Sequence, residues 1–537
     1  WEGLPTAVQR PNPDVRVPVV FLDWSGAGEA QRDAQRREFF ERDRMLGFDL
    51  RRAPLMRVTV FELGPGQTEF VWTVHHILLD GRSFAPALIE LFGAYEALAR
   101  GATPEWPAAG RPYGDYIDWV TAHDWRKSLP FFKELLAGKR VPTPLPLAEP
   151  AARPLPRTGA SHHEVIRQVE PSVAQALREF ARQTGAGMGA VIQTAFAFVL
   201  QRLTGDDDVL FGVTRSMRRS ALDGEAENMM GLFINTLPVR VKIDVSQSVA
   251  ELLASVREHS TRLRDHDHTP LVEVQGQSDM PRGTALFDSL LMYDNRELNR
   301  CLRASDPGWN SRHCTVHEQP GLPLTVIVVD DELLELHLVY DRRRFRDPVI
   351  ERFAGYLTTA LTALPHTRKV ADVDVVPPEE RQRVLFGWND TARGFPDQLR
   401  IHQLFEQRVE LQPDAPAIEM QGERMTYAEL DREANRIANT LRARGAKPGQ
   451  YVGICLSRGP TLVAALLGAA KASVPYVPLD PDYPRERLEF MLQDSSAPLV
   501  LTETKHAALF SWPLIVLDAG DLEGAADTRL PIESAPT

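Results

Sequence analysis

Residues 69–81 read Glu69-Phe70-Val71-Trp72-Thr73-Val74-His75-His76-Ile77-Leu78-Leu79-Asp80-Gly81, an alternating run that ends in paired histidines and turns on Asp-Gly. Phe70, Trp72 and Val74 alternate with Glu69, Val71 and Thr73, the period of two of a half-buried strand. That parity predicts that His76 continues the apolar face and that His75 points the other way. Asp80 and Gly81 then turn the chain, Ser83 is placed to cap, and Phe84, Leu88, Leu91, Phe92, Tyr95 and Leu98 recur at helical spacing. The imidazole of His76 is therefore expected on a strand-loop-helix corner, where a side chain that titrates near neutrality can serve chemistry. The bland reading of the same residues is a buried, hydrogen-bonded histidine beside an exposed one.

On the N-terminal side, a strand (17–22), a charged helix (29–44) and a hairpin (55–63 with 69–76) around Gly64-Pro65-Gly66 are predicted. Helical stretches come next at 113–122 and 129–137, and then residues 141–157 carry Pro142, Pro144, Pro146, Pro150, Pro154 and Pro156, which cannot continue a helix or a central strand. That stretch marks a lobe boundary. A second lobe alternates strands near 164–169, 209–213 and 237–243 with helices at 172–184 and 189–203, and ends in a hairpin of 322–329 with 333–340. No glycine-rich nucleotide fingerprint interrupts it, so two α/β sandwich lobes are the expected architecture, with a cleft between them. After a mixed stretch from 366 to 395, helices at 401–411, 428–445 and 461–473 alternate with strands at 417–420, 451–456 and 499–502, which reads as the start of a further α/β domain.

With 537 residues and 43% apolar content the chain is long enough for three or four cores. A net charge of −12 and a pI near 5.7 disfavour nucleic acid as a partner. The longest apolar stretches, 189–200 and 461–470, are too short to cross a bilayer, so no membrane partner is expected. Cys301, Cys314 and Cys455 lack metal-type spacing and cannot all pair, which makes a reducing, cytoplasmic compartment the simplest expectation and leaves no metal site. The start at Trp1-Glu2-Gly3-Leu4 and the end at Pro536-Thr537 read as cut edges of something longer.

Taken together, these features resemble the condensation domain of nonribosomal peptide synthetases followed by the opening of an adenylation domain, over nearly the whole chain. His75 to Gly81 match that family's HHxxxDG signature. Gly47-Phe48-Asp49-Leu50 with Pro54-Leu55, Tyr113-Gly114-Asp115-Tyr116-Ile117-Asp118-Trp119, Gly231-Leu232-Phe233-Ile234-Asn235-Thr236 and Leu286-Phe287-Asp288-Ser289 are similar to its other blocks, in family order. Trp388-Asn389, Met425 to Leu430 and Tyr476-Val477-Pro478-Leu479-Asp480 resemble the linker and first two blocks of an adenylation domain, although Ala472-Ser473-Val474-Pro475 departs from the usual Ala-Gly before the Tyr. The resemblance implies an α+β two-layer sandwich class: two chloramphenicol-acetyltransferase-like lobes in a V, at 1–157 and 158–365, a linker at 366–395 and an α/β adenylation portion at 396–537. The family's opening arginine block would precede Trp1 and its phosphate-binding loop would come after Thr537, so the ATP site reads as incomplete and amino-acid activation is not expected of this stretch. No carrier-domain serine motif occurs.

The activity so implied is amide-bond formation between an acyl or peptidyl thioester and an aminoacyl thioester. Each substrate would be held on the 4'-phosphopantetheine arm of an upstream or downstream peptidyl carrier domain of the same synthetase, with no cofactor bound to this chain. A thioester is already activated and an α-amine has a pKa near 8, so holding the amine in attack geometry matters more than a strong base. His76 is assigned to orienting that amine and accepting its proton, His75 to structure, and Gly81 to close approach or simply to the turn. Amides at the start of the following helix are a further candidate, for a developing oxyanion. Asp80 is a candidate second carboxylate acting on the substrate, but, four residues on across a turn, it is expected rather to brace the loop. The family suggests an arginine partner for it, which falls at Arg218, with Arg215 and Arg219 as competitors. Asn235 and Ser289 match blocks near the cleft and either support the site or only pack. Alternatives are an epimerising or cyclising relative, an acyl-coenzyme A transferase of the same superfamily, and a carrier-binding scaffold without catalysis. Gly81-Arg82-Ser83-Phe84 after the Asp favours condensation over epimerisation.

Overall fold

The computed structural model describes residues 8–108, 110–146, 162–294, 298–331 and 333–531. They form two compact units, Trp1–Asn389 and Asp390–Thr537. The first unit opens with β1 (Val19–Asp23), α1 (Glu29–Leu46), β2 (Met56–Gly64) and β3 (Gln67–Val74). β2 is the central strand of this sheet, parallel to β1 and antiparallel to β3. The hairpin closes through Gly64 and Gly66, both at positive φ (139° and 72°), which is why glycine flanks Pro65 there. Alternation along β3 then decides which helix covers which face. Phe70 and Trp72 pack under α2 (Phe84–Ala99), whereas Glu69 and Thr73 face α1 and bond Arg36 and Asp43.

The chain continues through α3 (Tyr113–Ala122) and α4 (Leu129–Leu136) into the second lobe. Its elements are β4 (His162–Gln168), α5 (Pro171–Thr184), α6 (Met188–Thr204), β5 (Asp208–Ser216), β6 (Ile234–Lys242), α7 (Val249–Arg264), α8 (Leu271–Gln275), β7 (Ser289–Asp294), α9 (Leu298–Ser305), β8 (Leu324–Asp330), β9 (Leu334–Asp341) and α10 (Asp347–Ala363). The six strands form one mixed sheet in the order β4-β9-β8-β7-β5-β6. α6 is apolar on every side because it is buried along its length, between that sheet and α7 and α10.

Both edges of this lobe differ from the sequence reading. Phe132 and Leu136 of α4, together with Leu145, belong to the second lobe's core, and the Thr143 hydroxyl accepts the Leu210 amide at 2.7 Å. The chain has thus joined the second lobe before the proline-rich stretch at which composition puts the seam, and the greater part of that stretch, 147–157, lies outside the described residues. At the other end Val370, Val373 and Val375 complete the same core, so the segment expected as linker from 366 is packed over its first third. Only after α11 (Pro378–Gln382) is the chain continuously exposed, through residue 398.

The second unit comprises α12 (Ile401–Leu411), the hairpin β10 (Pro416–Met420) and β11 (Glu423–Thr426), α13 (Tyr427–Ala443), β12 (Val452–Cys455), α14 (Pro460–Lys471), β13 (Tyr476–Pro478), α15 (Arg485–Asp494), β14 (Val500–Thr502), α16 (Thr504–Ala507) and β15 (Leu514–Val516). Its parallel sheet runs β13-β12-β14-β15 over a core of its own. Among the described residues no single helix is long and apolar enough to cross a membrane. The one bent pair that passes by length and composition, α5 with α6, contributes to the second lobe's core.

Candidate active site

β3 stops one residue before the paired histidines. The His75 amide makes the last rung, to the Leu55 carbonyl at 2.9 Å, one residue beyond the last paired position, Met56 opposite Val74. His76 to Leu78 form a turn, closed by the Leu78 amide on the His75 carbonyl at 3.0 Å. This corrects the strand-parity expectation. His76 does not continue the Phe70/Trp72 face but leaves the ladder, and it is exposed. His75 is half-buried, and its Nδ1 accepts the Ile77 amide at 3.1 Å, so the ring in this arrangement carries its proton on Nε2.

Beyond this turn, the loop is anchored by Asp80, which is 1% exposed. Its Oδ1 accepts Arg218 Nη2 at 2.7 Å, the Ser83 amide at 3.2 Å and the Ser83 hydroxyl at 3.1 Å. Oδ2 accepts Arg218 Nε at 3.2 Å and the Phe233 amide at 3.1 Å. Both oxygens are thus committed to bonds within the fold. Of the three candidate arginines, Arg218 is the one paired with Asp80, whereas Arg215 pairs with Asp267 at 3.1 Å. Arg218, also 1% exposed, sends Nη1 to the carbonyls of Ala226 (3.0 Å) and Met229 (2.6 Å) and lies 4.3 Å over the Phe233 ring. The Asp80 amide donates in turn to the Gly231 carbonyl at 2.9 Å. One buried ion pair thus fastens the histidine loop of the first lobe to residues 217–233 of the second.

The remaining sequence blocks close around this staple. Gly231 has φ 153°, and a Cβ there would come within 2.1 Å of the Tyr113 ring, so only glycine fits. The Tyr113 hydroxyl donates to the Leu232 carbonyl at 2.7 Å, and Tyr113 and Tyr116 stand against Phe233. Burial pushes both phenols up, which keeps them neutral donors. Asn235 spans the 267–269 turn, donating to the carbonyls of Asp267 (2.9 Å) and Thr269 (2.8 Å). Ser289 opens β7, fully buried beside Leu324 of β8. Its block packs: Phe287 fills the space where a Cβ on Gly212 would come within 2.4 Å. Gly81 begins a short 3-10 turn (Gly81–Ser83) and is not among the positive-φ glycines.

Ser83 differs from its expected capping role. The cap is supplied by Asp80, and the Ser83 hydroxyl instead receives Arg218 Nη2 at 2.9 Å and the Gly231 amide at 3.1 Å. Because Asp80 takes the Ser83 amide, that N–H is not free for an oxyanion. Separately, a cavity of about 300 Å³ lies in the second lobe against β4, β8 and β9, lined by Ile166, Ile327, His337 and Asp331 among others. None of the seven candidate residues is among its walls.

The family model Condensation domain matches residues 3–385. The chain belongs to the condensation domain family. A second model, AMP-binding enzyme, matches residues 405–528. The condensation domain, together with its AMP-binding portion, is 38% identical over 528 residues to a linear gramicidin synthase subunit of Brevibacillus parabrevis, covering 97% of this chain and 7% of that protein. It is 31% identical over 529 residues to surfactin synthase subunit 2 of Bacillus subtilis, covering 97% and 14%. The chain thus spans only a small part of each of these relatives. A solved four-domain nonribosomal peptide synthetase bound to AMP and glycine shares the fold at a TM-score of 0.74 and 21% identity, over 94% of this chain and 39% of that one.

Proposed function

We propose that this condensation domain forms an amide bond between two carrier-bound thioesters, with His76 as the residue that meets the reacting amine. The observation that carries the reading is an exposed imidazole on a turn held at both ends, by the His75–Leu55 rung on one side and the buried Asp80–Arg218 pair on the other. The amine nitrogen of the acceptor attacks the donor carbonyl, a C–N bond forms and the C–S bond breaks. The proton leaves the nitrogen toward His76 Nε2 or Nδ1, and the pantetheine sulfur departs as a thiolate that is protonated as the free thiol. Since the thioester supplies the driving force, orientation of the amine is the main contribution of the imidazole. The carriers are domains of the same synthetase, one bringing the donor and one the acceptor, and their phosphopantetheine arms supply the thioesters.

His76→Ala in the full polypeptide, assayed with both carriers loaded, is expected to abolish amide product while leaving the melting temperature unchanged, because an exposed side chain contributes little to packing. Wild-type turnover by that variant would reject the assignment.

A further inference from the structure

The block Gly47-Phe48-Asp49-Leu50 has no part in the Asp80 staple, yet the structure gives Phe48 a defined position beside the histidines. Arg57 on β2 is fixed at all three guanidinium nitrogens. Nε reaches Asp43 Oδ1 at 2.6 Å, Nη2 the Asp43 carbonyl at 2.6 Å and Nη1 the Gly47 carbonyl at 2.9 Å. Asp43, buried at the α1–sheet seam, also accepts the Thr73 hydroxyl from β3 at 2.8 Å. The guanidinium so held lies 4.5 Å over the Phe48 ring, and Phe48 meets His75 in a T-shaped contact at 6.0 Å and 81°. His75 in turn accepts the amide of Ile77, the residue directly after His76. Arg57, Thr73 and His75 share one face of the hairpin by register, so α1 meets the first two through Asp43, and Phe48, just past its end, meets the third.

We propose that Phe48, held by Arg57, is a positioning residue for His76. It fixes the His75 ring, whose Nδ1 sets the peptide on the C-terminal side of His76, and so determines where the reactive imidazole stands. The claim rests on the reading of His76 given above. A ring at this place that only filled space could be replaced by any apolar side chain of similar volume without kinetic effect. A ring that orients His75 could not.

The test is turnover and melting temperature of variants in the full polypeptide with both carriers loaded. Phe48→Leu is expected to lower kcat roughly ten-fold or more, as small misplacements of a catalytic group do. KM for the loaded carriers and the melting temperature should stay near wild type, and Phe48→Tyr should restore kcat. His75→Ala should lower kcat to a similar level, and adding Phe48→Leu to it should cause no further loss, since both act through one ring. Should Phe48→Leu fail to fold, Arg57→Lys reads the same effect, because lysine keeps a charge opposite Asp43 but loses the planar stack. Losses that multiply in the double variant, or a Phe48→Leu change confined to the melting temperature, would overturn the proposal. Failure of the preceding reading looks different: there His76→Ala itself would be active, whereas an inactive His76→Ala beside a fully active Phe48→Leu removes the positioning claim alone.

Discussion

Asp80 and Arg218 show how one pair of residues can hold two lobes at a chosen place. Taking both charges out of water costs several kcal/mol each, and their attraction offsets this only because every lone pair of the carboxylate and most guanidinium donors are used. Breaking the pair from one side should therefore cost more than the pair itself contributes. Arg218→Met leaves a buried carboxylate and is expected to destabilise the first unit by about 3–5 kcal/mol, read as a lower urea midpoint. Asp80→Leu leaves a buried guanidinium and should cost a comparable amount. The combined Asp80→Leu, Arg218→Met variant removes both charges and should recover a large part of the loss, while turnover stays low because the loop is no longer fixed. Losses that simply add in the double variant would show that the two residues are not acting on each other.

At the scale of elements, the β4–β9 edge of the large sheet is held by a charged group that titrates within reach of experiment. Glu164 on β4 and His337 on β9 are diagonal neighbours on one face, at 2.9 Å, and His337 Nε2 also reaches Glu335 at 3.2 Å. Burial alone would raise Glu164, but the bonds from His317 and His337 outweigh it and bring it down from 4.5 to about 2. Burial would likewise lower His337, yet the two carboxylates raise it above 6.5. The Glu164 contribution is present above pH 4.5 and is lost as the pH falls toward 2. The His337 contribution is full below 6.5 and is lost as the pH rises through its folded value. Both hold only in the window between, and they are two views of one interaction, not two terms to sum. The urea midpoint of the first unit is expected to fall from pH 6 to pH 9, and His337→Gln should flatten that slope. An unchanged slope would place the alkaline loss elsewhere.

Elements are also the level most legible in the sequence. The β2–β3 hairpin, α2, α3 and α6 stand within a few residues of where periodicity puts them, because each has one clear apolar face or, for α6, none that is polar. α7 and α10 are absent from the predicted helices although both carry start signals, the capping box Ser248 with Glu251 and Pro348 in the first turn of α10. The site is legible in part. Arg218 can be placed opposite Asp80 only through the family blocks, since no periodicity links residues 138 positions apart. The turn at His76 has no signal in the strand pattern, because the period of two runs through Val74 to His76 without a break. Asp43 and Arg57 carry no local signal at all, being joined by the packing of α1 on the sheet.

For the molecule as a whole, the division at Asn389/Asp390 places every core cluster wholly on one side or the other. The connecting residues through 398 are exposed and contribute to none of these cores. Separate cores joined by an exposed segment should melt as separate cooperative transitions, since cooperativity follows shared burial. A cavity made in one core should then move only one of them. Leu441→Ala, in the α13 core of the second unit, removes a fully buried side chain and is expected to cost about 2–5 kcal/mol there. Leu357→Ala on α10 should do the same for the first unit. In calorimetry each variant should lower one transition and leave the other in place. A single transition that both variants shift equally would mean that the two units unfold as one cooperative body, and that the exposed segment transmits more than covalent continuity.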